Sequence, residues 1–203
     1  MARIESVCVY CGSSPGSAPV FIEQARALGT ELGRHGIRLI YGGGGLGLMG
    51  EVASAAAAAG GEVTGIIPEF LVSKEGKFGH ASEMIFTTDM HERKRLMFDR
   101  ADAFVALPGG VGTLEELVEQ LTWAQLGQHR KPILVANIAG FWDPFLSLLD
   151  HMRANAFIHG ANPVDLLVAD RVGDILPKLQ AAVSALPESA LHGKEPAAAV
   201  EGL

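Results

Sequence analysis

The sequence predicts an α/β protein in which a mostly parallel β-sheet carries helices on both faces. Three observations support this prediction. Short runs rich in β-branched residues alternate with helical stretches, those runs are apolar almost throughout, and glycine-rich turns follow several of them. Near-continuous apolar strands separated by helices are typical of a parallel sheet that is buried on both sides. Right-handed crossovers bring the carboxyl ends of such strands to one edge, so we predict a Rossmann-like, doubly wound fold.

The predicted elements follow one another along the chain with little interruption. Strands are predicted at residues 4–10, 37–41, 62–67, 84–88, 103–108 and 132–138, with a last short strand at 166–170. Helices are predicted at residues 18–36, 49–61, 91–102, 112–127, 141–155 and 174–186. The first helix is predicted to end at a glycine C-cap, and Asp89 is the predicted N-cap of the third. Residues 69–82 have no clear period and are predicted to form a loop or short turns.

Length and composition are those of one globular domain. A chain of 203 residues, of which 48% are hydrophobic and 19% charged, can bury a substantial core. We predict a single nucleotide-binding domain over residues 1–186 and a mobile C-terminal tail over residues 187–203. The net charge of −7 argues against binding to nucleic acid or to an anionic membrane. Because the sequence shows neither a signal peptide nor an apolar tract long enough to span a bilayer, we expect a soluble, cytoplasmic protein.

The two cysteines, Cys8 and Cys11, form a C-x-x-C sequence. Such spacing can indicate thiol redox chemistry. Cys8, however, lies within an apolar strand, where residues three apart point to opposite sides, and cysteine is often buried. We therefore predict that both thiols are packing residues. No second cysteine pair or histidine cluster in the sequence completes a metal site, and we predict neither a metal nor a cofactor.

Three glycine-bearing turns, CGSSPG, YGGGGLGLMG and PGGVGT, follow the first, second and fifth predicted strands. In a doubly wound sheet all three face one crevice. The second turn contains two overlapping G-x-G-x-x-G matches, and Glu69 follows where an acid that binds a ribose would lie. The same glycines can instead serve a tight turn and close helix–strand packing. An NAD site is therefore one hypothesis, but no second domain remains to hold a hydride acceptor.

The stretch PGGVGTLEE, residues 108–116, has two interpretations. Thr113 and Glu116 have the spacing of a capping box with Thr113 as N-cap. The glycines before Thr113, however, expose consecutive backbone N–H groups at a helix N-terminus, and such a site binds phosphate. Glu116 shares a helix face with Thr113, about 4.5 Å further along the axis, and can reach the sugar of a nucleotide held there. Glu115 points about 100° away and is predicted to be solvated or to take part in capping.

A basic cluster, H-E-R-K-R at residues 91–95, lies on the third predicted helix. Charged runs on helices usually form a solvated face. Arg93 nevertheless shares its side of the helix with apolar residues three and four positions further on, so it requires an anionic partner there. Either Glu116 or a ligand can supply that partner. The role of Lys94 stays open on this evidence.

These motifs together resemble a known family. PGGVGTLEE, M-H-E-R-K at residues 90–94, the YGGGGLGLMG turn and the CGSS turn are similar to those of the Lonely Guy family of cytokinin riboside 5′-monophosphate phosphoribohydrolases, long mislabelled as possible lysine decarboxylases. The likeness implies a Rossmann-like fold and a homodimer or higher homo-oligomer. It also implies hydrolysis of the N-glycosidic bond of a purine nucleoside 5′-monophosphate, which releases the free base and ribose 5-phosphate.

The resemblance further implies which residues act. Arg93 and Glu116 are the implied catalytic pair. The implied substrate-binding residues are Gly12, Ser13, Gly43, Gly44, Glu75, Met90, Lys94, Gly109, Gly110, Val111, Gly112, Thr113, Leu114, Glu115 and Thr122. Among these, Gly109, Gly110, Gly112 and Thr113 would hold the phosphate. Lys94 would lie beside the nucleotide, and Met90 would contact the base. Residues 70–85 depart from the family pattern, so the choice between an isoprenoid-modified adenine and AMP stays open.

The implied chemistry agrees with the residues. Cleavage of an N-riboside builds positive charge on the sugar, which Glu116 can stabilise, or Glu116 can align the attacking water as a general base. Arg93 is expected to orient Glu116 and keep it ionised. Two other hypotheses remain: a nucleotide carrier or sensor that binds without cleavage, and an NAD-binding protein.

Overall fold

The computed structural model describes residues 3–73, 81–158 and 166–186. These residues contain the strands β1 (Ser6–Tyr10), β2 (Arg38–Tyr41), β3 (Val63–Pro68), β4 (Glu83–Thr87), β5 (Ala103–Ala106), β6 (Ile133–Ala136) and β7 (Leu166–Ala169). They form one seven-stranded sheet in the order β4-β3-β2-β1-β5-β6-β7, and every pairing in it is parallel. The predicted α/β fold with a doubly wound parallel sheet is confirmed.

Six helices within the described ranges cover the sheet: α1 (Pro19–Arg34), α2 (Gly47–Ala58), α3 (Met90–Arg100), α4 (Val111–Gln125), α5 (Asp143–Ala154) and α6 (Ile175–Ser184). The buried side chains fall into two clusters, one that includes α1, α2 and α6 and one that includes α3, α4 and α5. Each face of the sheet thus has its own hydrophobic core. None of these helices combines the length and the apolarity needed to cross a bilayer.

The element boundaries differ from the prediction by a few residues. The sixth strand ends at Ala136 rather than at residue 138, because the chain turns into a 3-10 helix at Ile138–Gly140 in which Ala139 is left-handed (φ 53°). The predicted cap of α3 is confirmed, since the carboxylate of Asp89 accepts a hydrogen bond from the amide of Glu92 at 2.8 Å. The predicted loop at 69–82 begins with a 3-10 helix, and its residues 74–80, like the predicted tail, lie outside the described residues.

The alanine-rich helix α2 packs closely against α1. A Cβ atom on Gly29 would clash with the carbonyl oxygen of Val52, and one on Gly33 would crowd the carbonyl oxygen of Ala56 at 2.6 Å. The two glycines therefore bring the backbones of the two helices into contact. The first amide groups of α2 in turn reach the loop after β1, where Leu48 N–H donates to the carbonyl oxygen of Gly12 at 3.0 Å.

The order of the strands places a topological switch point between β1 and β5. The chain leaves β1 towards α1 on one face of the sheet and leaves β5 towards α4 on the other. The two loops are tied together, because Gly12 N–H donates to the carbonyl oxygen of Pro108 at 3.1 Å. Open α/β sheets bind ligands in the crevice beyond such a point.

Candidate active site

A cavity of about 320 Å³ opens at this switch point, beyond the carboxyl ends of β1, β2 and β5. The turns after all three strands contribute to its wall, as the sequence predicts. Helices α3 and α4 supply its charged side chains. The lining residues are Val9, Tyr10, Cys11, Gly12, Ser13, Gly42, Met49, Met90, Arg93, Gly110, Val111, Gly112, Thr113, Glu115 and Glu116.

The N-terminus of α4 points into this cavity, and it begins earlier than the sequence suggests. Gly110 is the N-cap, in an extended conformation, and Val111 is the first helical residue. Of the two interpretations of this stretch, the capping box with Thr113 as N-cap is therefore wrong. Thr113 is the third helical residue, where it is buried with its side chain against Gly109. Flexible glycines allow the helix to start three residues sooner than a threonine N-cap at Thr113 would.

This helix start leaves several backbone donors available. The first N–H groups of a helix have no acceptor within it. Among the backbone hydrogen bonds of the described residues, none is donated by the amides from Gly109 to Thr113, and the first amide of this segment with a bond is Leu114, to the carbonyl oxygen of Gly110 at 3.0 Å. We call these amides, from Gly109 to Thr113, the amide seat. With the positive end of the helix dipole, they can hold a phosphate.

The glycine turn after β2 has a different role. The amides of Leu48 and Met49, at the start of α2, both donate to the carbonyl oxygen of Gly12 and are thus occupied. Gly47 is left-handed (φ 55°), and a Cβ atom there would clash with the backbone of Ser13. The turn glycines therefore allow close packing between loops. The NAD hypothesis requires free amides at the start of α2 to bind a pyrophosphate, but the amides of Leu48 and Met49 are already bonded to Gly12. Glu69 is exposed on its 3-10 helix.

Arg93 and Glu116 meet at the floor of the cavity. A guanidinium nitrogen of Arg93 lies 3.3 Å from a carboxylate oxygen of Glu116, and each residue is only 8% exposed. A second guanidinium nitrogen of Arg93 lies 3.7 Å from the sulfur of Met90. The turn after β2 passes directly beside the guanidinium, where a Cβ atom on Gly42 would clash with it. Glu116 thus supplies the anionic partner that the position of Arg93 on α3 requires.

Burial raises the pKa of Glu116 to about 7, although the neighbouring Arg93 guanidinium lowers it. Glu115 adds to the increase because a second negative charge nearby disfavours ionisation. The expectation that Arg93 keeps Glu116 fully ionised therefore needs correction. The free energy needed to remove the carboxylate from water is larger than the electrostatic stabilisation that one guanidinium at 3.3 Å provides. Burial therefore favours the protonated form of Glu116 and moves its titration towards neutral pH.

Lys94 faces a different side of α3 from the cavity floor. Its ammonium group donates to the carboxylates of Glu115 and Glu119, the latter at 2.9 Å. Burial opposes its charge, but these two carboxylates together raise the pKa of Lys94. Glu115 is half exposed and paired rather than simply solvated. Lys94 thus joins α3 to α4 behind the cavity and is not among its lining residues.

The structure does not bring every predicted binding residue to the cavity. Gly109 lines a second cavity next to it. Gly43 packs against Ile67 instead, and Leu114 is partly exposed on α4. The hydroxyl of Thr122 donates to the carbonyl oxygen of Val118 within its own helix, at 2.8 Å. Gly44 is buried, and Glu75 lies outside the described residues.

Five lining residues escaped the sequence analysis as site residues: Val9, Tyr10, Cys11, Gly42 and Met49. Tyr10 and Cys11 end the first strand, which is the position from which side chains reach the crevice. That position is the signal that could have identified them. Burial raises the pKa of both Cys8 and Cys11 far above its ordinary value, which suits the predicted packing role. Among the described residues, no group of three or more His, Cys, Asp or Glu side chains is arranged to hold a metal ion.

Comparison with known proteins gives matches over most of the chain. A family model described as "possible lysine decarboxylase" matches residues 49–179. The probable cytokinin riboside 5′-monophosphate phosphoribohydrolase LOGL1 of Oryza sativa subsp. japonica is 43% identical over 88% of this chain and 80% of its own length. The enzymes named LOG of the same organism and LOG7 of Arabidopsis thaliana are 48% and 46% identical over 77% of this chain. These matches span 65% and 72% of the two relatives.

Solved structures of more distant sequence share the fold. The Moco carrier protein from Chlamydomonas reinhardtii superimposes with a TM-score of 0.68 at 21% identity, over 91% of this chain and 100% of that one. The molybdenum cofactor binding protein from Rippkaea orientalis gives a TM-score of 0.66 at 20% identity, over 89% and 98%. At such identities the likeness concerns the backbone alone.

Proposed function

We propose a function from one premise: the chain belongs to the family described as possible lysine decarboxylases, whose curated relatives are named cytokinin riboside 5′-monophosphate phosphoribohydrolases. The chain is an enzyme of that kind, a nucleotide phosphoribohydrolase. It cleaves the N-glycosidic bond of a purine nucleoside 5′-monophosphate, either AMP or a cytokinin-type derivative. The products are the free base and ribose 5-phosphate.

One observation carries this proposal. The amide seat lies at the N-terminus of the helix that carries Glu116, and all of its residues except Gly109 line the same cavity as Glu116. Glu116 lies about 4.5 Å along the axis from Thr113, at the inner end of the seat. A 5′-phosphate held by the amides therefore directs its ribose towards the carboxylate. Phosphate binding then supplies energy away from the reacting carbon and holds the sugar in place.

The reaction needs a water and a stabilised sugar cation. Water adds to the anomeric carbon as the bond to the base nitrogen breaks, and the base leaves with the bonding electrons and takes up a proton. The ionised carboxylate of Glu116 stabilises the positive charge that develops on the ribose, or accepts the proton of the attacking water. Arg93 acts on Glu116 rather than on the substrate, because it holds the carboxylate at 3.3 Å in the buried floor.

The described lysines do not support a decarboxylase. A lysine that forms a Schiff base needs a lowered pKa and a place in the cavity. Lys94 has a raised pKa and two carboxylate partners. The ammonium group of Lys131 donates to the carbonyl oxygen of Phe98, and that of Lys178 to the carbonyl oxygen of Val168. None of these three lysines lines the cavity.

Chromatographic measurement of base release tests the function. We expect AMP and isopentenyl-AMP to give free base, while the nucleosides without phosphate are not cleaved. Glu116→Gln should abolish release and leave AMP affinity within about threefold, because the amide seat is intact. Glu23→Gln, an exposed acid on α1, is the matched control and should behave like the wild type. Equal cleavage of nucleoside and nucleotide would refute the role of the seat, and tight AMP binding without any base release would favour a carrier.

We expect the enzyme to be a homodimer, as the family resemblance implies. Exposed apolar side chains on α4 and just after it support this expectation: Val111, Leu114, Val118 and Leu126. Leu121 lies on the same helix but is buried in the hydrophobic core. Light scattering coupled to size-exclusion chromatography should give twice the chain mass, and a single-chain mass would contradict the expectation.

A further inference from the structure

A second cavity, of about 220 Å³, lies on the other side of the amide seat. It shares Gly12, Ser13 and Gly110 with the larger cavity. The rest of its wall comes from the loops after β1 and β5, from α1, from the start of α2 and from the segment before α5. The full lining is Gly12, Ser13, Ser14, Gly16, Phe21, Leu48, Pro108, Gly109, Gly110 and Phe141. The proposed reaction uses none of the side chains that are confined to this cavity.

The chemistry of this cavity differs from that of its neighbour. Apart from two serines, its wall consists of apolar residues and glycines, and no charged side chain lines it. Phe21 and Phe141 form an edge-to-face pair whose ring centroids are 5.8 Å apart. Gly16 is left-handed (φ 76°), and a Cβ atom there would lie 2.7 Å from the ring of Phe21. The absence of a side chain at Gly16 therefore allows the ring of Phe21 to pack against the loop after β1.

The volume indicates that this cavity receives part of a ligand. Small-molecule sites usually measure about 300–1,000 Å³, more than this cavity offers alone. Its shared wall with the larger cavity is Gly12, Ser13 and Gly110, and Gly110 belongs to the amide seat. A group that enters it can therefore be bonded to the phosphate itself. In doubly wound folds the two halves of a dinucleotide lie on the two sides of the switch point.

We propose that this second cavity, which we call the aromatic subsite, binds a planar apolar group esterified to the 5′-phosphate of the nucleotide. The enzyme then accepts nucleoside 5′-phosphodiesters, with the nucleoside in the larger cavity and the second group against Phe21 and Phe141. The proposal rests on the proposed function, because it takes the amide seat as the phosphate site. It adds a class of ligand that nucleoside monophosphates do not represent.

Two synthetic esters of AMP test the proposal. Adenosine 5′-phenylphosphate and adenosine 5′-methylphosphate have the same charge and differ only in the group that would enter the subsite. Calorimetry on the Glu116→Gln protein measures binding without cleavage. We expect the phenyl ester to bind about tenfold more tightly than the methyl ester, since aromatic contacts add to the burial of the ring. Equal affinity of the two esters would overturn the proposal.

Variants of the aromatic pair locate the effect. Phe21→Ala, added to Glu116→Gln, should reduce the phenyl advantage to about twofold or less and leave AMP affinity unchanged. Phe141→Ala should act in the same direction and guards against a folding defect at Phe21, since Phe141 is already 37% exposed. Phe157→Ala, at 80% exposure and outside the cavity, should change nothing.

Two outcomes separate this proposal from the proposed function. If Phe21→Ala weakens AMP as much as the phenyl ester, the aromatic pair holds the base and the subsite assignment is wrong. If the wild-type protein releases no base from AMP, the proposed function fails, while the comparison of the two esters still decides whether the subsite exists.

Discussion

The carboxyl group of Glu116 is predicted to titrate near neutral pH, and the free energy of unfolding provides a test that does not depend on activity. Burial raises its pKa from 4.5 to about 7 in the folded protein. The protonated form is therefore favoured in the folded state. Below pH 4.5 the group is neutral in both states, and stability is lost as the pH rises through 7. The loss is about 3 kcal/mol, because each pKa unit corresponds to about 1.4 kcal/mol.

Glu116→Gln removes this titration but keeps the shape of the side chain and an oxygen that can face Arg93. Urea unfolding of both proteins between pH 4.5 and 8.5 gives the difference in their free energies of unfolding. We expect the variant to gain about 3 kcal/mol relative to the wild type across this range. Other titrating groups are common to both proteins and cancel. A difference that stays constant within about 0.5 kcal/mol would show that Glu116 has an ordinary pKa, and the reasoning from burial would be refuted.

The same titration predicts the pH dependence of turnover. If the ionised carboxylate is the active form, kcat rises with pH, and at pH 6 about one tenth of the enzyme is competent. A bound phosphate adds negative charge, so the midpoint in kcat lies at or above the value in the free protein. A kcat that falls with rising pH between 6 and 8 would show that the protonated acid is required instead.

Three further predictions concern the surroundings of the pair. Gly42→Ala places a Cβ against the guanidinium of Arg93 and should lower kcat by about a hundredfold, while Gly173→Ala, with open space around it, should not. Lys94→Met leaves its two carboxylate partners unpaired and should reduce the free energy of unfolding by about 1–3 kcal/mol in urea titrations; an unchanged value would contradict that pairing. Because burial raises the pKa of Cys11, its thiol should resist alkylation by iodoacetamide at pH 8 until the protein unfolds. Mass spectrometry measures the alkylation, and rapid labelling of the native protein would contradict this prediction.

The fold was predictable because its signal is redundant. Each strand is a short apolar run and each intervening helix is long enough to be periodic, so the parallel sheet follows from many residues at once. The ends of the elements depend on single residues and were less predictable. The start of α4 is an example. Thr113 and Glu116 have a valid capping-box spacing, but Gly110 adopts the capping conformation three residues sooner.

The residues of the candidate site were predictable where a charged side chain lies among apolar neighbours on its own helix. Arg93 on an apolar helix side required a partner, and the structure supplies Glu116. Lys94 gave no such signal, because its partners, Glu115 and Glu119, lie on another helix and the pairing depends on how the two helices pack. The balance between burial and the Arg93 charge was also beyond the sequence. Spacing shows which groups can meet, but desolvation depends on how much protein surrounds them.

That balance explains how an acid can lie one turn from a phosphate seat. A fully ionised Glu116 would repel a bound phosphate, yet burial raises the pKa of the group and favours its protonated form. As the bond to the base stretches, positive charge appears on the ribose beside it, and an opposite charge lowers the pKa of a carboxyl group. The carboxylate is thus costly to ionise before the reaction and favoured in the transition state. An interaction that strengthens only as the transition state forms is the kind that raises kcat, so in the proposed reaction the burial that weakens Glu116 as a resting anion would make it effective in catalysis.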